Sequence, residues 1–246
     1  MAAKEMSARD YLHFIFYAAY DSTGRLASKI IQDSTSRSHI GPEFGQLNDS
    51  LAAGTYTVVV AGAVGRPYEG DSDTTLASLY FNTNSDDVFY KKFMLTVGDK
   101  DSTSANVKLS RITGQLQLNL TDTLPAQVKE IKIVIDNFPL NYHPANDAVD
   151  QLSNNLFGYL NTPNSPLTYP AGMGFWGSDL NHTVTITALD YSGMVIQEKV
   201  VKNVYVYPNK KTVLKGSINP TASDGGTSDI NIVIDPDYAD TIIQTF

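Results

Sequence analysis

A chain of 246 residues without a cysteine can form no disulfide, thiolate metal site or cysteine nucleophile, so histidines, carboxylates and aromatic rings are weighed first. The histidines are His13, His39, His143 and His182. His13 sits in a strand-like run, and the other three fall in expected loops with no H-x-x-x-H or H-E-x-x-H spacing. Zinc wants two ligands on one rigid element and a third beside them, so no histidine is assigned a metal or catalytic role. Acidic clusters occur at Glu69–Asp73, Ser85–Asp87, Gly98–Ser102 and Ser223–Asp229. None has the ligand pattern of an EF-hand loop, and they read as solvated turns. Paired carboxylates for glycoside cleavage meet in space rather than in sequence, and no spacing here singles out a pair. There is no G-x-S-x-G elbow, P-loop or G-x-G-x-x-G. The glycine-rich run "AGMGFWG" from Ala171 has no strand before it and no helix after it to make a phosphate nest. No catalytic residue, metal ligand or cofactor is expected.

Rings are the remaining signal. Tyr159, Tyr169, Phe175 and Trp176 lie in the proline-containing stretch Asn155–Asn181, which reads as a long irregular loop. Rings on such a loop can stack on a sugar or anchor a protein partner, and they can equally fold beneath it as a satellite core.

Composition narrows the classes. A net charge of −8 and a pI near 4.9 argue against nucleic acid, whose phosphates need clustered Lys and Arg. The basic pairs Lys91-Lys92 and Lys210-Lys211 are too short to change that. No apolar run approaches the ~20 residues that cross a bilayer. The opening "MAAKEMSARDYLHF" has no apolar core of secretory-signal length, which fits either a cytoplasmic protein or a chain freed of its leader.

The elements that must position any site are strands. "ITGQLQLNL" from Ile112, "EIKIVID" from Glu130, "HTVTITAL" from His182 and "DINIVID" from Asp229 alternate apolar and polar residues. Period two is the pattern of half-buried antiparallel strands. "YLHFIFYAAY" from Tyr11, "TYTVVVAGA" from Thr55 and "FYKKFMLTV" from Phe89 are apolar on both sides, which suits strands covered on both faces or strands near a domain junction. Turn residues separate them at Asp21–Gly24, Ala53-Gly54, Asp190–Gly193 and Pro208-Asn209. Asn146–Leu160 offers a weak helical pattern, although its asparagines and Gly158 oppose a long helix. "KNVYVYPNKKTVLKGSI" from Lys202 reads as a hairpin turning at Pro208-Asn209. The expected fold is all-β: two tandem antiparallel β-sandwich domains with little helix. The polar run Gly98–Asn106 divides them into residues 1–102 and 103–246.

Four stretches in order resemble the fimbrillin and fimbrial-anchor lipoprotein family of Bacteroides-type bacteria. They are "LHFIFYAAYDSTGRLASK", "FGQLNDSLAAGTYTVVVAGA" with Leu51, Gly54 and Tyr56 in an L-x-x-G-x-Y pattern, "VKLSRITGQLQLNL" around Arg111, and "PNKKTVLKG". The resemblance implies transthyretin-like sandwiches in a secreted outer-membrane lipoprotein that is not an enzyme. It implies a shaft, tip or anchor subunit of a surface fimbrium, with other fimbrial subunits as partners by strand exchange. Adhesion to a host or bacterial surface protein or glycan is a further implied role. No lipidation cysteine precedes Ala2, so the membrane anchor is expected to have been trimmed from this chain. Arg9 directly precedes the strand at Tyr11, which leaves little room for a removable first strand of ~5–6 residues. That favours an anchor or accessory subunit over a processed shaft subunit. The alternative is a secreted glycan-binding sandwich using the aromatic loop 155–181.

Overall fold

The computed structural model describes residues 6–7, 11–34, 44–65, 73–82, 87–99, 104–121, 124–161, 167–169, 175–218, 230–235 and 242–245. The described chain is built almost entirely of strands in mainly antiparallel sheets, an all-β, sandwich-like fold. It forms two compact units that exchange segments along the sequence. Unit 1 comprises residues 1–113, 141–150 and 239–246, and unit 2 comprises 114–140 and 151–238.

Unit 1 contains β1 (Met6–Ser7), β2 (Phe14–Tyr20), β3 (Leu26–Asp33), β4 (Gly54–Ala63), β5 (Phe81–Asn82), β6 (Val88–Val97), β7 (Asn106–Arg111) and the last strand, β17 (Ile242–Thr245). Seven of these make one sheet in the order β1-β17-β7-β6-β4-β2-β3. Every residue of β2 is buried, as its two-sided apolar sequence requires. On one face Ile15, Tyr17 and Ala19 pack with Val58, Val60, Phe89 and Leu109 beneath Leu47. On the other, edge-to-face rings run from Phe16 to Phe81, Tyr90 and Tyr142. Such ring pairs contribute about 0.5–1.5 kcal/mol each beyond the area they bury.

The remaining strands are β8 (Thr113–Leu120), β9 (Glu130–His143), β10 (Ala148–Asn161), β11 (Leu167–Tyr169), β12 (Phe175–Trp176), β13 (His182–Leu189), β14 (Val195–Val204), β15 (Lys211–Gly216) and β16 (Ile230–Asp235). They form two sheets, β10-β9-β13-β14 and β11-β8-β15-β16, with β12 joined to β8. Within unit 1, the end of β9 also pairs with β5, Phe81 opposite Tyr142. Between the two sheets lies one core of Leu116, Leu118 and Leu120, Ile131, Ile133 and Ile135, Val184 and Ile186, with Leu214. These are the apolar positions of the alternating sequences, and their neighbours on each strand are only partly buried, except the buried Thr187 on β13.

Three local expectations are corrected. Asn146–Leu160 is no helix: from Ala148 on it is β10, carried by ladder pairing with β9 despite poor strand formers. The stretch Asn155–Asn181 contains the end of β10 together with β11 and β12, so it is not one irregular loop. The hairpin drawn from Lys202 is a crossing between sheets. β14 stops at Val204, and β15 pairs with β8 in parallel and with β16 in antiparallel register. The carbonyls between them are used locally, by Thr212 Oγ1 at Tyr205, Ser178 N–H at Val206 and Lys210 N–H at Tyr207. The crossing needs glycine on both sides. A Cβ on Gly114 would sit 2.3 Å from the Tyr207 carbonyl oxygen, and one on Gly177 would sit 2.1 Å from the Pro208 nitrogen.

Candidate functional site

Two hairpins, one per unit, carry the same turn. In "DSTG" the Asp21 carboxylate accepts from Thr23 N–H at 2.8 Å, Thr23 Oγ1 at 2.7 Å and Arg25 N–H at 3.1 Å. In "DYSG" Asp190 accepts from Ser192 N–H at 2.8 Å, Ser192 Oγ at 2.7 Å and Met194 N–H at 2.9 Å. Gly24 and Gly193 take φ of +79° and +82°, a conformation glycine adopts without strain. Hydroxyl donation from Thr23 and Ser192, followed by backbone N–H donation, holds both carboxyls below the ordinary aspartate range. The ladders beside the turns match as well. Tyr20 opposes Leu26 and Ala19 opposes Ser28 across a register shift; Leu189 opposes Val195 and Ala188 opposes Gln197 across the same shift.

The edges that follow differ. In unit 1 the edge of β3 is occupied by residues 73–76. Leu26 N–H donates to the Thr74 carbonyl at 3.0 Å, Leu76 N–H donates to the Gly24 carbonyl at 2.8 Å, and Arg25 bridges antiparallel to Thr75. Lys29 pairs with Asp73 at 2.6 Å, and Tyr20 donates to the Asp73 carbonyl. Thr75 then caps a 3-10 turn, Leu76–Ser78, and the strap runs on to the buried Leu79 and Phe81. In unit 2, among the described residues, β14 pairs with β13 alone. The turn before it and its solvent face carry exposed apolar side chains: Tyr191 is 71% exposed, Met194 68%, Val195 57% and Val200 44%. Unpaired ladder groups on an exposed apolar edge are a template for another strand.

Two polar clusters in unit 1 clamp the fold. The buried Arg111 lies over the Phe89 ring and pairs through Nε with Asp87 at 3.2 Å. Asp87 also accepts from the Tyr11 hydroxyl and from Thr113 Oγ1. Burial, with Asp87 next in weight, pushes the Tyr11 phenol up to about 12. Lys92 pairs with Asp147 at 2.9 Å, and Tyr90 and Tyr142 both donate to that carboxylate. Burial would raise Asp147, but the hydrogen bonds from Lys92 and Tyr90 outweigh it and its pKa is lowered. These contacts tie segments distant in sequence, and their carboxylates are already fully engaged.

The ring candidates separate. Trp176 is 1% exposed, and its Nε1 donates to the Leu140 carbonyl at 3.2 Å, so this ring is core. Tyr159, Tyr169 and Phe175 lie on β10, β11 and β12, and their side chains fall outside the described residues. His143 ends β9, 2.8 Å from Asp150, and the buried His182 opens β13 with Nδ1 on the Asp136 carbonyl; both are on strands, not in the loops expected of them. His13 lies just before β2 beside Ser34. His39, Arg9, residues 171–174 and Ser223–Asp229 lie outside the described residues, as do most of Glu69–Asp73, Ser85–Asp87 and Gly98–Ser102. Among the described residues, no three His, Asp or Glu side chains gather as a metal site. Sequence reasoning found the Asp190–Gly193 turn but missed the apolar residues after it. Met194 and Val195 directly behind a D-x-S-G turn were the available signal.

Comparison with known proteins agrees with the strand architecture. The sequence matches the family described as fimbrillin-A associated anchor proteins Mfa1 and Mfa2 over residues 5–245. No curated protein is matched. The fimbrial anchor protein Mfa2 from Porphyromonas gingivalis is 14% identical with a TM-score of 0.56, covering 92% of this chain and 89% of that one. A candidate polysaccharide-binding protein from Bacteroides thetaiotaomicron is 12% identical with a TM-score of 0.59, over 92% and 89%. A candidate adhesin from Bacteroides ovatus is 11% identical with a TM-score of 0.54, over 91% and 86%. At such identities the structural likeness speaks for the fold alone. The family match spans nearly the whole chain and bears out the resemblance carried by the four sequence stretches: this protein belongs to the fimbrillin-A associated anchor family.

Proposed function

We propose that the protein is a cell-surface fimbrial anchor subunit that joins its neighbours by β-strand addition. The observation that carries the reading is the family match over residues 5–245. The fold supports it, because each unit is built from sheets and strand addition needs only an accessible ladder edge. Ladder hydrogen bonds supply affinity and alternating side-chain pockets supply specificity. The family is one of anchor proteins rather than enzymes, and the polar clusters of unit 1 act as clamps. Attachment to the outer membrane through a lipid belongs to the same proposal, and fractionation of the native cells tests it.

The test of assembly mixes the purified protein with peptides spanning the terminal strands of cognate fimbrial subunits. A stable one-to-one complex is expected with at least one peptide. A full panel without a complex contradicts the reading. A glycan contact through the rings of 155–181 is a second proposal, prompted by the candidate polysaccharide binder of the same fold. It rests on Tyr159, Tyr169 and Phe175, since Trp176 is occupied in the core. A glycan array without hits removes it.

A further inference from the structure

We infer that the edge of β14 from Gly193 to Val200 receives an extended segment of a partner subunit, antiparallel to it, with a basic residue ion-paired to Glu198. Unit 1 supplies the template. Its hairpin has the same turn bonds, the same positive-φ glycine and the same register shift, and there the edge is filled by residues 73–76. The groups that hold that strap are the Gly24 carbonyl, the Leu26 N–H and the Lys29 ammonium. Counting from the turn aspartate, the corresponding groups in unit 2 are the Gly193 carbonyl, the Val195 N–H and the Glu198 carboxylate.

The register confirms the correspondence. Lys29 stands opposite Ala18 and Glu198 opposite Thr187, each three residues before its turn aspartate. A donor and an acceptor at the same spacing call for the same occupant backbone, an extended chain running antiparallel, as Thr75 does against Arg25. The charge is reversed. Asp73 answers Lys29 in unit 1, so a Lys or Arg must answer Glu198 in unit 2. Glu198 accepts from Thr187 Oγ1 at 3.3 Å, and Lys199 points to the opposite face, opposite Ile186. Met194 replaces Arg25 at the turn exit, and Val195 and Val200 add exposed apolar surface on the same face as Glu198. The occupant therefore carries apolar side chains as well as its basic residue.

The inference rests on the anchor reading in one respect, that the segment belongs to a neighbouring subunit. Its test uses the intact protein and a synthetic peptide of residues 73–80 carrying Asp73→Lys, with the unaltered peptide as control. Binding is followed by fluorescence polarisation and by exchange of the Val195 amide. The lysine peptide is expected to bind, to protect Val195, and to bind about two- to fivefold more tightly than the control, the range of an exposed ion pair. Glu198→Lys should invert that preference. Val195→Pro, which removes the N–H, should abolish binding. Should that variant misfold by circular dichroism, the Glu198→Lys inversion decides alone. No binding, equal binding of both peptides, or no protection at Val195 overturns the inference. Subunit peptides captured equally well by the wild type and Glu198→Lys also overturn it and leave the anchor reading intact. The expected peptide preference without capture of any subunit sinks the anchor reading and leaves the edge site.

Discussion

The hairpin β2–β3 of unit 1 and the hairpin β13–β14 of unit 2 share turn and register, yet one is enclosed and the other is half bare. Five residues before the turn aspartate stand Phe16 in β2 and Thr185 in β13. Phe16 is fully buried against Phe81, whereas Thr185 is only partly covered. The difference teaches that turn chemistry is local while coverage is not. An aspartate, a hydroxyl and a glycine make the same turn in both places, and a segment some fifty residues away decides whether the edge beyond it is filled.

The comparison can be broken most forcefully at that matched pair. Phe16→Ala should cost about 3–5 kcal/mol in urea denaturation, the range for emptying an aromatic core position. Thr185→Ala should stay within about 0.5 kcal/mol, as for a surface change. Similar losses at both positions would mean that the outer face of β13 is covered as thoroughly as that of β2.

Alkaline pH should separate the units next. Burial raises the pKa of Tyr11, Tyr17, Tyr20, Tyr90 and Tyr142, all of them in unit 1. A phenol whose folded pKa exceeds its unfolded value of 10.0 lends stability that is complete below that pH. The contribution is lost as the pH rises through the folded value, about 12 for Tyr11. Near-ultraviolet circular dichroism and amide exchange at rising pH should show unit 1 opening before unit 2. Simultaneous loss would count against this ordering.

A smaller effect is expected at the edges. Lys29→Ala leaves the buried Asp73 carboxylate without its ammonium and should cost about 1–3 kcal/mol. Glu198→Ala removes a carboxylate from an exposed edge and should be nearly neutral. The smallest effect is at the turns, where Asp21→Ala and Asp190→Ala should lower the thermal midpoint slightly and by matching amounts. Both carboxyls have lowered folded pKa values, so their contribution is present above the ordinary value of 3.8 and lost as the pH falls below it. Unequal losses would show that the shared geometry does not carry a shared energy.

Much of the fold was legible because burial on one face leaves a period-two record. β8, β9 and β13 bury Leu116, Ile133 and Ile186 where the alternation put them. Two-sided apolar runs likewise became strands, covered on both faces in β2 but not in β6, where Met94 is 64% exposed. β10 was not legible, since its asparagines resist any strand assignment and only pairing with β9 decides it. The crossing after Val204 was hidden for another reason. Val204, Val206 and Leu214 enter one core whether the chain returns in the same sheet or passes to the facing one. Trp176 was ambiguous because a ring among glycines suits a binding loop and a closed core equally well. That the edge of β14 lacks a strap could not be read from its own sequence, which shows only the apolar Met194 and Val195 behind the turn. The strap 73–76 completes β3 through backbone groups, which leave no mark on the strand they cover.

Amide hydrogen exchange at Leu26 and Val195 distinguishes a strapped edge from a bare one. The Leu26 N–H is bonded to the Thr74 carbonyl at 3.0 Å, and Val195 holds the matching place on β14. In the isolated protein Leu26 should exchange slowly and Val195 fast, and Val195 should become protected once a partner strand is bound. A Val195 amide as slow as that of Leu26 in the isolated protein would contradict an open edge.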